Sequence, residues 1–119
     1  MIGDRVKIVF GFNLDGQGEG QVLPVYEPVW NPDGSLSMNG DGSANVKKVG
    51  GVKSGCTATV EGNSIQVHRT QVLHLAKESS MVLGGTKDFI EVFPVWLDHY
   101  QQRGWFPADH IKIVAGGKL

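Results

Sequence analysis

The sequence holds a single cysteine, Cys56, in 119 residues. One thiol closes no internal disulfide, and a lone Cys fits a reducing, cytoplasmic setting. No apolar run approaches the ~18 residues a membrane-spanning helix needs. No charged segment leads into an apolar one at the start, so no secretory leader is expected. Charge is scarce as well: 11 Lys and Arg stand against 12 Asp and Glu, for a net charge of −1. Without a basic run, affinity for a phosphate backbone has no evident electrostatic source. Helix-favouring residues are few: Ala and Leu total 13, whereas Val and Ile total 21.

Glycine, by contrast, is abundant, at 17 residues. Each interior helical Gly costs about 1 kcal/mol against Ala, which argues against a helical bundle. The glycines have no period of three, which excludes collagen. With 40% hydrophobic residues the chain is not a disordered linker. The β-branched bias with many turn residues predicts a mainly β domain, or α+β if a C-terminal helix is substantial.

Alternation of apolar and polar residues predicts strands over 2–10, 22–30, 46–52, 56–60, 64–68, 72–75, 89–93 and 111–114. Short 3₁₀ steps are expected near 69–71 and 108–110. Pro24, Pro28 and Pro32 share one parity, so their missing N–H groups would lie on one edge, as in an outer strand. Tyr26 and Trp30 share that parity and form a proline-and-aromatic stripe, read as packing on the core. Residues 31–45 are polar and Gly-rich, a long hairpin tip. Residues 94–103 read as a short helix, with Pro94 in the first turn and Gly104 just past the end. The competing hairpin would put Gln101-Gln102 in a two-residue turn, a poor choice where both need positive φ. The whole chain is expected to be one domain, a barrel-like core over about 1–76 with an extension over about 77–119 packed on it.

Two stretches resemble the SH3-like barrel superfamily. Gly3-Asp4-Arg5-Val6-Lys7-Ile8 followed by Gly18-Glu19-Gly20-Gln21-Val22 resembles the opening of KOW-type barrels, and 67–72 resembles a closing strand with its 3₁₀ turn. Gly104-Trp105-Phe106-Pro107-Ala108-Asp109-His110-Ile111 is similar to the closing motif of eukaryotic-type SH3 domains, with His110 in place of Tyr. Phe89-Ile90-Glu91-Val92 looks like that family's central strand. The resemblance implies an SH3-like barrel, with Pro107 and His110 at the positions that help form the family's peptide groove.

Candidate chemistry is sparse. Asp15-Gly16-Gln17-Gly18-Glu19-Gly20 has the look of a phosphate loop, but an extended segment follows where a helix N-terminus is required. Asp33, Asn39, Asp41 and Asn45 lack the ligand ladder of a Ca²⁺ loop. Asp98-His99 and Asp109-His110 suggest a general base, yet neighbours in a strand point to opposite faces. No metal or cofactor is therefore called for, and Cys56 reads as a buried inert thiol.

The aromatics near the C-terminus are the strongest binding feature. Trp96, Tyr100, Trp105 and Phe106, with Pro107 and His110, are expected to form a patch that docks a protein partner or a second copy. The expected function is a non-enzymatic interaction or self-assembly module. The alternatives are a nucleic-acid-binding KOW-like barrel using Arg5, Lys7, Lys47, Lys48 and Lys53, and a small-molecule-binding protein or enzyme using an Asp-His pair.

Overall fold

The computed structural model describes residues 2–9, 22–72 and 88–115. They form eight strands: β1 Arg5–Ile8, β2 Val22–Pro28, β3 Val46–Lys53, β4 Thr57–Val60, β5 Ile65–His68, β6 Phe89–Leu97, β7 Gln102–Pro107 and β8 Ile111–Ala115. Two 3₁₀ turns, Arg69–Val72 and Ala108–His110, are the helical elements among the described residues. The protein is mainly β, as the composition predicts. One antiparallel sheet runs β3-β2-β7-β6-β4-β1-β8, with β5 beside the first half of β6.

The sheet buries both faces. Val6, Ile8, Leu23, Val25, Val52, Ala58, Val60, Val95, Leu97 and Phe106 meet in one cluster. These side chains come from strands near opposite ends of the sheet order, so the sheet curls on itself in a barrel-like way. Tyr26, Ala44, Val46, Val67, Val72, Ile90 and Val92 form a second cluster on the outer face. Parity explains the division. On β6, Ile90 and Val92 face outward and Val95 and Leu97 inward. On β3 the register shifts opposite Val25/Tyr26, and the extra residue lets Val46 join the outer cluster while Val52 joins the inner one.

Three expectations are corrected. Residues 94–103 are not a helix: β6 runs to Leu97 and pairs with β7 from Val92↔Pro107 to Leu97↔Gln102. The loop has four residues, Asp98 to Gln101, so one positive φ suffices, and Gln101 supplies it at 53°. The Gln101 N–H donates to the Leu97 carbonyl, and its Nε2 donates to the Asp98 carbonyl. β2 is not an outer strand either. It pairs with β3 over its whole length and with β7 at Tyr26↔Trp105. Pro24 and Pro28 flank Tyr26 with the same parity, which limits the β7 side to that single pair. Finally, the proline-and-aromatic stripe divides: Tyr26 is buried whereas Trp30 stays 55% exposed.

The segment 77–119, expected as an extension, supplies β6, β7 and β8, which lie inside the same sheet. The Gly-rich segments 11–21 and 84–85, including the phosphate-loop motif at 15–20, lie outside the described residues.

Candidate functional site

Cross-strand register assembles the site. Residues opposite each other in an antiparallel pair project to the same face. Lys48, Tyr26, Trp105 and Pro94 therefore form one row across β3, β2, β7 and β6. Arg103, Trp96, Thr59 and Arg5 form the next row across β7, β6, β4 and β1. Trp105 and Arg103 lie two apart on β7 and share that outer face. Trp30 follows β2, where its bridge to Leu36 begins a turn. Trp30 and Trp105 line a groove of about 440 Å³ whose walls include Tyr26, Pro28, Val49, Gln102 and Arg103. All three tryptophans of the chain are thus arranged around Arg103.

Two ion pairs fix the arginines of this face. Arg103 Nε donates to Glu61 Oε1 at 2.7 Å. Arg5 makes a two-pronged contact with Asp98, with Nη1 at 3.1 Å from Oδ1, and also donates to Thr59 Oγ1 at 2.7 Å. Hydrogen bonds from Arg5 and then Thr57 hold the Asp98 carboxyl below its ordinary pKa, and the same pair raises Arg5. Lys7, Lys47, Lys48 and Lys53, the other cations expected on a nucleic-acid face, are exposed and belong to neither ion pair.

Of the six aromatic-patch residues, the outer face brings together Trp96 and Trp105. Trp96 is 37% exposed, and Trp105 is half-buried against the outer cluster. Phe106 is fully buried in the inner cluster, and Pro107 and His110 are also buried, so these three form no open groove. Tyr100 packs on the inner cluster from the β6–β7 loop, and its Oη accepts a hydrogen bond from the Lys53 N–H at 3.1 Å. The six residues are therefore not one patch, because neighbouring residues of β7 face opposite ways. Trp30 and Arg103 are the additions. A Trp just ahead of a turn rich in Asn, Pro, Asp and Gly was a legible sign of exposure; Arg103 had no such signal.

The Asp-His pairs do not form catalytic dyads. The Asp98 carboxylate is engaged by Arg5 and Thr57, and the His99 ring stands edge-on to Tyr100. Both ring nitrogens of His110 are buried without a hydrogen-bond partner among the described residues, and burial pushes its pKa down to about 4. Cys56 is half-buried, and desolvation raises its thiol pKa, away from nucleophilic reactivity. Among the described residues no group of three or more His, Cys, Asp and Glu is placed to hold a metal, and no helix is long and apolar enough to cross a membrane.

Residues 30–45, expected as a plain hairpin tip, contain a repeated turn. Asn31-Pro32-Asp33-Gly34-Ser35 and Asn39-Gly40-Asp41-Gly42-Ser43 lie eight residues apart. In each, the Asp Oδ1 accepts from the backbone N–H of the following Ser at 2.9 Å and from its hydroxyl at 2.6 Å. Each Asn donates to the Ser hydroxyl at 3.0 Å, and Gly34 and Gly42 sit at φ +88°, where a side chain would be strained. These turns carry the chain from Trp30 back over the outer cluster to Ala44. Compared with known proteins, the chain matches no family model, no curated protein and no solved structure.

Proposed function

We propose that this protein is a non-enzymatic protein-interaction module whose docking surface is the tryptophan face of β2, β6 and β7. One observation carries the reading: Trp30, Trp96 and Trp105 gather around Arg103 beside an open groove. Trp and Arg are among the residue types that dominate binding energy at protein interfaces, Trp through a large rigid surface at modest entropic cost and Arg through its planar fork of donors. The Arg103–Glu61 pair supports this by holding the guanidinium in place before a partner arrives. SH3-like architecture and a cytoplasmic, reducing setting are kept as parts of the proposal, the latter on the strength of the single thiol.

Selection from a displayed random-peptide library tests the proposal. Binders should emerge, and Trp30→Ala or Arg103→Ala should weaken them by about tenfold or more. Absence of enrichment over empty support, or binders indifferent to both substitutions, refutes it. Sedimentation velocity on the same variants tells a foreign partner from a second copy: self-association lost in Trp30→Ala identifies the copy.

A further inference from the structure

Beside the tryptophan groove, the sheet ends in an unusually bare strand. Among the described residues β3 pairs as a strand only with β2; the Val46 N–H donates to Gln71 Oε1 and the Lys53 N–H to Tyr100 Oη, so the open stretch of its other edge lies between them, over 47–52. Residues 47–51 are all exposed, although the β2 residues opposite most of them are buried. The strand carries Lys47, Lys48 and Lys53 and no acidic residue, and none of the three lysines is in an ion pair among the described residues. Lys48 projects onto the tryptophan face in the row of Tyr26 and Trp105, and Val49 and Gly50 form one wall of the groove.

A bare strand edge is a template for backbone pairing with another extended chain. Lysines along that edge select who pairs. A second copy would bring three more lysines against the first three, and like charges across a strand pair oppose association. Lys47 already lies opposite Glu27, so a neutral strand would leave Lys48 and Lys53 without an opposite charge. An acidic strand neutralises them, through exposed charges whose attraction weakens as salt rises.

We infer that the open edge of β3 accepts an extended acidic segment of a protein partner, by strand addition. The carboxylates lie on one face of that segment, against Lys48 and Lys53, whose β2 partners Tyr26 and Val22 share a face, and its apolar side chains lie on the other. This adds a partner chemistry beside the surface proposed above without resting on the groove. The strand addition itself stands on the edge and its lysines.

The test uses the full chain and a fluorescein-labelled eight-residue peptide of alternating Glu and Val, followed by fluorescence anisotropy. The acidic peptide should bind at roughly 20 mM salt and weaken about tenfold or more at roughly 300 mM. The double substitution K48E/K53E should weaken binding at least about tenfold, with the thermal midpoint and circular dichroism unchanged, and the corresponding Lys→Arg pair should retain binding; Lys47 is left in place because it lies opposite Glu27. N-methylation of alternate peptide amides should abolish binding, since it removes the ladder donors. The inference is overturned if the acidic peptide does not bind, if an alternating Lys and Val peptide binds as well, or if N-methylation has no effect. It is equally overturned if an oligothymidylate of the same length binds more tightly, or if K48E/K53E releases a dimer. Trp30→Ala separates the two proposals. Acidic-peptide binding that survives it, together with a failed library selection, leaves the edge site standing and removes the tryptophan face.

Discussion

The two faces of this sheet are built differently. The inner cluster is strand against strand: every fully buried member sits on β1 to β7, with alternating neighbours facing out. The outer cluster is strand against loop. Tyr26, Val46, Val67, Ile90 and Val92 come from strands, but Ala44, Val72 and Leu36 come from the turn region and the 3₁₀ segment that fold over them. The inner face closes through the sheet's own curvature, whereas the outer one needs a cover, and the cover stops short of the tryptophans. That difference teaches where a binding surface arises in a fold this small: at the margin of the cluster that the chain finishes with loops.

Adjacent residues of β7 allow the sharpest comparison. Phe106 faces the inner cluster with no exposure, and Trp105 faces the outer one half-buried. Phe106→Ala should cost about 3–5 kcal/mol, in the range of buried aromatic truncations. Trp105→Ala should cost visibly less stability and far more binding. Urea midpoints for both variants, with anisotropy on peptides selected from the library, check this; equal destabilisation would erase the distinction between the faces.

His110 marks where the compact side of the molecule is vulnerable. Its imidazole is buried without a hydrogen-bond partner among the described residues, and burial takes its pKa from 6.5 to about 4. Between those values the unfolded chain binds a proton that the native state refuses. Stability is therefore complete above pH 6.5 and falls as the pH drops toward 4, by on the order of 3 kcal/mol in all. His110→Leu removes both the titration and the unpaired polar atoms, so the variant should hold its stability across that window and gain at neutral pH. Urea unfolding at neutral and mildly acidic pH decides it; parallel acid sensitivity in the two proteins would place the titrating group elsewhere.

Gly104 follows in size. A Cβ there would lie 2.8 Å from Val25 Cγ1 and 3.0 Å from Phe106 Cε2, inside the inner cluster. Gly104→Ala should therefore cost about 1–3 kcal/mol, the usual penalty of overpacking. Gly50, on the bare edge, has nothing within 4 Å of such a Cβ, and Gly50→Ala is expected to be much milder. Comparable thermal midpoints for the two variants would mean that the inner face yields as easily as the edge.

These contrasts also explain what the sequence made legible. Strict alternation announced β1, β4 and β5 because each buries a simple face, and a strand parity is a local property. The 94–103 hairpin was hidden because its loop is four residues long, and its strand β6 is apolar on both sides, which blurs the period of two. β2 was misplaced because its prolines mark an edge without saying whether that edge is free or faces a neighbour through one pair. The site was half visible: Trp96 and Trp105 were legible as aromatics, but only the register of β6 against β7 puts Arg103 opposite Trp96. Phe106, Pro107 and His110 shared the motif in sequence and were separated by face and burial.

The smallest expected effect compares the two repeated turns of the cover. Asp33 and Asp41 have the same partners, and hydrogen bonds from the following Ser lower both carboxyl pKa values, the side-chain hydroxyl first. A lowered carboxyl pKa stabilises the fold above its ordinary value of 3.8 and loses that support as the pH falls below it. This window lies beneath that of His110, so the two are separable in one titration. The turns differ in what they hold down. Ser43 is fully buried and precedes Ala44, a member of the outer cluster, whereas Ser35 is exposed. Asp41→Ala frees a buried hydroxyl and loosens the cover at the cluster, and Asp33→Ala loosens a turn in solvent. Thermal midpoints should fall further for Asp41→Ala than for Asp33→Ala. The reverse order would show that the second turn is not what pins the cover, and that the strands alone hold the outer cluster.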